Sequence, residues 1–345
     1  MTEVISICYT ESHPTDRRGE IYSPKMSESK LSLKRKFWPW ILFIGLALAG
    51  FALSFLITPL DSPRKSETEE QGILHPQVFF QRIICGTPGI TEIVFGLGAG
   101  HRVVGVSQFS AFPREATEKP VIGGLINPNR EKITALKPDL LITQGKHESL
   151  AAFCRRQGIT FLSLEIETLE DIHNAVTRLG GILGTAGEAA RLHNFIKEEL
   201  QRLTFRISVF PARKVFFVLG HSPGDLSNLM SIGPRTFLHQ LITAAGGINI
   251  FADASGTYPQ ISKESLLRRQ PEVIIEVITG DLSEEKIRML KSDWSQLSIL
   301  PAVLQGQIHF LNQDFLLIPG TRVTQTAQLL AEIIHPEAFN VPKQR

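Results

Sequence analysis

Cysteine is scarce in this chain of 345 residues, and the three present, Cys8, Cys85 and Cys154, lie far apart with no C-x-x-C pair. That excludes a disulfide framework. Cys85 falls in an apolar strand pattern and Cys154 in a helical one, so both read as small core residues. Charge of one sign is also missing. Thirty-six basic residues against 34 acidic ones leave a formal net charge of +2, which creates no field that would gather nucleic acid. The ten histidines are dispersed, with no pair at i, i+3 or i+4 and no His-rich loop, so local spacing offers no metal site. What remains is ordinary globular composition, 43% apolar and 20% charged. The length exceeds what one compact core usually holds, so two lobes are expected.

One stretch lacks charge altogether. "WPWILFIGLALAGFALSFLIT", Trp38 to Thr58, is 21 residues long and as a helix would span about 31 Å, close to the roughly 30 Å hydrocarbon core of a bilayer. Lys34, Arg35 and Lys36 precede it, so the positive-inside rule leaves the N-terminus in the cytoplasm and sends the rest across. The expectation is a cytoplasmic tail (1–36), a single-pass signal-anchor helix (37–60) and a flexible Pro/Ser/charge-rich linker (61–80). The rival is a cleaved leader with "ALA" (Ala47 to Ala49) as its small-residue site. The apolar run continuing past that site and the long polar tail before it favour the anchor.

From residue 81 short apolar runs alternate with helical patterns. "RIICG", "RVVGV", "DLLIT" and "TFLSLE", then "KVFFVLG", "EVIIEV" and "IHFL", read as strands covered on both faces. Helices are expected over Thr91 to Leu97, Arg130 to Leu136, Glu148 to Gln157, Leu169 to Leu183, Thr236 to Ala245 and Val323 to Ile334. This is α/β alternation in two halves with mainly parallel sheets: a first lobe (81–184) and a second (210–345). Between them, 185–209 reads as one helix of about 22 residues, roughly 33 Å long. Thr185 and Glu188 have the capping-box spacing. Ala189, Leu192, Phe195, Ile196, Leu200, Leu203 and Ile207 form one apolar stripe. No Gly or Pro breaks it before Pro211, so a rigid strut joins the halves.

The chain writes one local sentence twice. "NREKITALKPDLLI" from Asn129 and "SKESLLRRQPEVII" from Ser262 align on Pro138 and Pro271. Each is an N-cap, a short helix, a proline that ends it and a buried strand. Glu131 and Glu264 fall in the first turn, where the helix dipole favours a carboxylate by about 0.3–1 kcal/mol. Stabilising their own helices is the plain reading of both.

With "GTPGITEIVFGLGAGHRVVGVSQFSAFP", "AAGGINIFAD" and "YPQISKESLLRRQPEVII", these stretches resemble the substrate-binding proteins of ATP-binding-cassette importers, in the subgroup that carries cobalamin and iron–siderophore complexes. The resemblance covers about 81 to 335. It implies two α/β lobes joined by one long helix, a metal-chelate ligand carrying iron or cobalt in the cleft, no catalytic residue and no cofactor of the protein's own. It also implies a permease, and through it an ATPase, as partner. By position, Glu131 and Glu264 correspond to the acids that dock into permease arginines. Phe109, Phe112, Leu125 and Tyr258 correspond to cleft-lining positions, and Arg235 and Arg322 could face the cleft and pair with an anionic ligand. The sequence departs from the cobalamin binders, which place tryptophan where Leu125 and Tyr258 stand. It also reads "LAGF", with Phe51 where lipoprotein relatives carry a cysteine, so anchoring falls to the apolar helix. The implied location is the bacterial inner membrane, with the body in the periplasm or outside the cell.

Other classes stay in view: a zinc or manganese receptor, and a ligand-sensing ectodomain without a transporter. "GHSPG" (Gly220 to Gly224) formally matches a nucleophile elbow after a strand. The residue after Ser222 is Pro223, which has no N–H for an oxyanion hole, so a Ser222 hydrolase is set aside.

Overall fold

The computed structural model describes residues 80–339. The 1–36 tail, the 37–60 anchor and all but the last residue of the 61–80 linker lie outside them. Among the described residues no helix is long and apolar enough to cross a membrane.

The first sheet takes β1 (Ile83–Cys85), β2 (Val103–Val106), β3 (Leu140–Gln144) and β4 (Thr160–Leu164) in the order β2-β1-β3-β4, every pair parallel. These are the four expected runs; the inner strands β1 and β3 are buried on both faces, which explains their apolar character, whereas the edge strand β4 is only partly buried. Helices α1 (Pro88–Gly96), α2 (Arg130–Ala135), α3 (Glu148–Arg156) and α4 (Leu169–Leu183) cover this sheet, and α5 (Ala186–Ile207) follows. Cys85 and Cys154 are free and buried, as core residues should be, and burial pushes the Cys85 thiol up to about 12.

The second sheet is built on β5 (Arg213–Ser222), β7 (Gly247–Asn249), β9 (Val273–Val277) and β10 (Ile308–Leu311), again parallel throughout. Their order, β7-β5-β9-β10, repeats that of the first sheet. Onto the far half of β5 an antiparallel strand β6 (Ser227–Ser231) is added, and β8 (Gln260–Ile261) pairs with β6. These polar, turn-rich segments carry little apolar signal and are not expected from sequence. The helices are α6 (Phe237–Ala244), α7 (Lys263–Arg269), α8 (Glu284–Ser295), α9 (Pro301–Leu304) and α10 (Val323–Ile334). "GHSPG" ends β5 and enters the turn of the β5–β6 hairpin, not a strand-to-helix elbow. The Ser222 hydroxyl accepts from Asn228 Nδ2 at 2.9 Å.

The repeated stretch is repeated in three dimensions. Asn129 Oδ1 accepts the Lys132 N–H at 2.9 Å, and Ser262 Oγ accepts that of Ser265 at 3.2 Å, so both are true N-caps. Lys137 and Gln270, each just before the proline, adopt left-handed backbone with φ of 46° and 50°. Proline closes the right-handed helical region to its predecessor. Here that residue escapes to the left, a conformation that costs a non-glycine residue about 1–2 kcal/mol. The acid after each proline then closes the unit. The Asp139 carboxylate accepts the N–H groups of Gln81 and Arg82 at the foot of β1, at 2.7 and 3.0 Å. The Glu272 carboxylate accepts that of Lys214 in β5 at 2.8 Å.

The connecting helix α5 has the expected 22 residues, but its start differs. Thr185 makes no side-chain cap, and Glu188 pairs with Arg191 at 2.6 Å. The capping box lies one helix earlier, between Thr168 and Asp171. Of the stripe, Ala189, Ile196, Leu203 and Ile207 are buried, whereas Phe195 points out at 53% exposure.

One hydrophobic core runs through both sheets. Ile93 and Leu97 of α1, Leu179 of α4, Ile196 and Leu203 of α5, Phe217 of β5 and Leu330 of α10 belong to a single cluster. At its centre α1 lies against the loop Pro319–Arg322 so closely that a Cβ on Gly89 would stand 2.7 Å from the Pro319 carbonyl oxygen. One turn on, Glu92 Oε1 accepts from Arg322 Nη2 and Nε at 2.8 and 2.9 Å. Its Oε2 takes the Arg322 N–H at 3.2 Å and the Thr321 hydroxyl at 3.3 Å. Both side chains are almost fully buried. Burial raises the Glu92 pKa, and Arg322 works against that rise. Removing one partner of such a pair costs about 3–5 kcal/mol. Arg322→Ala should therefore unfold at markedly lower urea at pH 7, while Glu92→Leu with Arg322→Met should lose much less. A carboxyl whose folded pKa is raised binds protons better folded than unfolded, so the Arg322→Ala deficit should shrink as pH falls. A deficit that grows on acidification would contradict the pairing.

Candidate functional site

The sequence "SQFSAFP" continues β2 as a loop pinned by buried hydroxyls. Ser110 Oγ lies 2.8 Å from Ser107 Oγ and 2.9 Å from Thr91 Oγ1 of α1. With both serines tied inward, Phe109 between them is turned outward and is 66% exposed. The next loop, Gly123 to Asn129, is held by the Gln108 N–H donating to the Gly123 carbonyl at 3.0 Å and the Asn129 N–H donating to that of Ile122 at 2.7 Å. Gly123 has φ 99°, and a Cβ there would stand 2.9 Å from the Asn127 carbonyl oxygen, so the sharp turn needs glycine. It presents Leu125 and Ile126, the latter 89% exposed.

Phe109, Leu125 and Ile126 line a hollow of about 640 Å³ with Thr87 and Pro88 at the start of α1. A second hollow of about 430 Å³ shares Thr87, Pro88 and Leu125 and reaches Lys146, His147 and Glu167 on the first lobe and Leu317 on the second. His147 Nε2 lies 2.9 Å from the Gln144 carbonyl oxygen. A ring nitrogen at that carbonyl oxygen must be the donor.

Tyr258 closes this side. Its hydroxyl donates to Glu167 Oε2 at 3.1 Å, and the Phe237 N–H donates to the Glu167 carbonyl oxygen at 2.6 Å. One residue thus ties two segments of the second lobe to the first. Burial, together with the Glu167 carboxylate, pushes the Tyr258 phenol up to about 12. Arg235, two residues before Phe237, is exposed, and no described ion pair uses it.

The expected residues do not all converge. Phe109 and Leu125 come together, Tyr258 reaches Glu167 at the edge of the second hollow, and Arg235 lines neither hollow. Phe112 and Arg322 are elsewhere. The Arg322 guanidinium stacks on the Phe112 ring, 4.4 Å from its centroid, and also binds Asp314 at 2.9 Å. Phe112 lines two other hollows with Gly96 and Thr321, of about 640 and 670 Å³. With its donors on Glu92 and Asp314, Arg322 is not a free cation. Sequence reading passed over Ile126, His147, Glu167 and Leu317. Ile126, beside Leu125 in a glycine-flanked loop, had the most legible signal, and Glu167 had none. Glu131 and Glu264 are exposed in the first turns of α2 and α7. Among the described residues no group of three or more His, Cys, Asp or Glu gathers as a metal site.

A model of the family described as periplasmic binding protein matches residues 83–315. The chain belongs to the periplasmic binding protein family. It is 30% identical over 256 residues to a vitamin B12-binding protein of Pectobacterium carotovorum, covering 72% of this chain and 86% of that protein. It is 26% identical to an ABC transporter substrate-binding lipoprotein of Bacillus subtilis, over 75% of this chain and 81% of that one. Among solved structures it is similar to the periplasmic heme-binding protein RhuT of Roseiflexus, with TM-score 0.64, 26% identity and coverage of 75% and 99%.

The geometry around Tyr258 has a spectroscopic consequence. The chain holds three tyrosines, and tyrosinate absorbance on raising the pH should show one ionising near about 12. Tyr258→Phe should remove that late phase and no other. A phase that survives the substitution would place the shifted phenol elsewhere.

Proposed function

We propose that this chain is an extracytoplasmic substrate-binding protein of an ABC importer, held in the membrane by residues 37–60, that captures a metal chelate of the cobalamin, haem or siderophore class between its lobes. The observation that carries the reading is the duplicated unit. Each lobe ends a short helix on the same left-handed residue and proline, ties the next acid to its central strand, and leaves one exposed glutamate in the first turn. Matched acids on matched helices suit a two-fold partner such as a permease built of two halves, whereas helix stabilisation alone would not need the match. The named relatives, a B12 binder, a heme binder and an ABC transporter lipoprotein, support the same assignment.

On this reading Phe109, Leu125 and Tyr258 contact the ligand's apolar faces, joined by Ile126 and Leu317, and Arg235 meets its acidic groups. Phe112 and Arg322 act from behind by fixing α1 against the second lobe. The ligand brings its own metal, since the cleft's wall is chiefly apolar and specificity falls to few polar groups. The domain limits proposed are those of the two sheets, 81–184 and 210–345, with 185–209 between them.

The test has two arms. Native mass spectrometry of the protein with cobalamin, haem and a siderophore panel should show one of these bound, and Leu125→Asp should weaken it. Glu131→Lys with Glu264→Lys should leave that binding within a few-fold, yet abolish stimulation of a reconstituted transporter, because like charges across an interface cost several kcal/mol. Loss of ligand binding in the double variant would assign the acids to the cleft. Unchanged stimulation would leave them as helix-stabilising residues only. Because one core crosses between the lobes, ligand should also leave the radius of gyration in small-angle scattering nearly unchanged. A fall of several ångströms would show a hinge.

A further inference from the structure

Two histidines outside the cleft meet where the chain passes from the first lobe to the second. His173 lies on α4 and His193 on α5, and the helix pair brings their rings to a centroid separation of 4.2 Å at an interplanar angle of 50°. Both are half-buried. His173 Nδ1 is shut off from solvent and has no hydrogen-bond partner among the described residues. A buried nitrogen in that state calls for a bound water or ion.

We propose that His173 and His193 together bind one divalent transition-metal ion of the imidazole-preferring class (Ni2+, Cu2+ or Zn2+) that clasps α4 to α5. With the rings this close, rotation about the side-chain torsions brings one nitrogen of each to a shared ion at about 2.0–2.1 Å, in neighbouring coordination positions, with water completing the shell. Imidazole must be neutral to bind a metal. Burial first, then the neighbouring His193 and Lys197, lower the His173 pKa below its ordinary value. Lys197 is exposed, and its flexible ammonium can turn to water as an ion enters. Hard cations are excluded because Ca2+ and Mg2+ take oxygen ligands. Neither histidine lines the hollows around Leu125, so the site is independent of the cleft ligand and of the proposed transporter. An ion there would stiffen the joint between the lobes.

The full chain, stripped with chelator, should be titrated with Ni2+ at neutral pH by calorimetry and followed by thermal unfolding. One ion per chain should bind and raise the melting temperature, and Mg2+ should do neither. His173→Gln and His193→Gln should each weaken uptake by roughly tenfold or more, a loss already seen for outer-shell partners of metal ligands. His101→Gln, at an exposed position away from the pair, should change nothing. Cu2+ bound to the wild type should show two nitrogen couplings in its electron paramagnetic resonance, a readout that needs no variant. No Ni2+ uptake, glutamine variants that take up Ni2+ as tightly as the wild type, or a copper spectrum without two nitrogens would each overturn the site.

Discussion

The contact between Glu92 and Arg322 is the constraint on which the two lobes' arrangement rests. Two charges taken almost wholly out of water are costly unless each finds close partners. These find them only if α1 of one lobe and the N-terminus of α10 of the other stand at one distance and one angle. Glu92 meets four donors from Thr321 and Arg322, and Arg322 adds Asp314 and the face of Phe112. A small sliding of α1 would leave a buried carboxylate unpaired, so the interface has one comfortable position. The apolar cluster that runs from Leu97 through Ile196 to Leu330 packs the two lobes on one another.

Around that fixed joint the lobes are two renderings of one plan. The strand orders β2-β1-β3-β4 and β7-β5-β9-β10 correspond, and the correspondence reaches single hydrogen bonds. Asp139 N–H donates to the Arg82 carbonyl at 3.0 Å, and Glu272 N–H to that of Lys214 at 2.8 Å. In both lobes the acid after the proline joins a helix end to the foot of the central strand. The position of the first-turn glutamate therefore follows from the sheet itself rather than from a free loop. The second lobe departs where β6 and β8 extend it beyond the central strand. His221 and Glu276 lie beneath that extension, 3.1 Å apart and buried, with Trp294 Nε1 donating to the same carboxylate at 2.8 Å. Burial opposes the imidazolium, but Glu276, the Ser222 carbonyl and Asp293 outweigh it and raise the His221 pKa.

Much of this was legible because it is local. Apolar runs of four or five residues marked the covered strands, and Asn129, Ser262 and the two prolines marked their helices to within a residue. What failed was what depends on partners far along the chain. Thr185 and Glu188 had the spacing of a capping box, yet Glu188 had Arg191 one turn away and took it, while Thr168 and Asp171 built the box instead. Arg322 looked like a cleft cation because nothing nearby shows that Glu92, 230 residues back, waits for it. His173 and His193 escaped for the same reason, since a spacing rule within one helix cannot see a pair made across two.

The same distinction governs the cleft. Phe109, Leu125 and Ile126 stay out of the core although their side chains are apolar, and exposing such groups costs about 25 cal/mol per Å². They are held there by groups that have nothing else to do. The hydroxyls of Ser107, Ser110 and Thr91 bond one another, and the backbones of Gln108, Gly123 and Asn129 close the two loops. An apolar wall kept open by satisfied polar groups loses little further freedom when something covers it, and that is the condition under which buried area becomes affinity. The rigid joint at Glu92 and Arg322 extends the condition to the second lobe, because Leu317 shares a hollow with Leu125 and Tyr258 is tied to Glu167 at its edge.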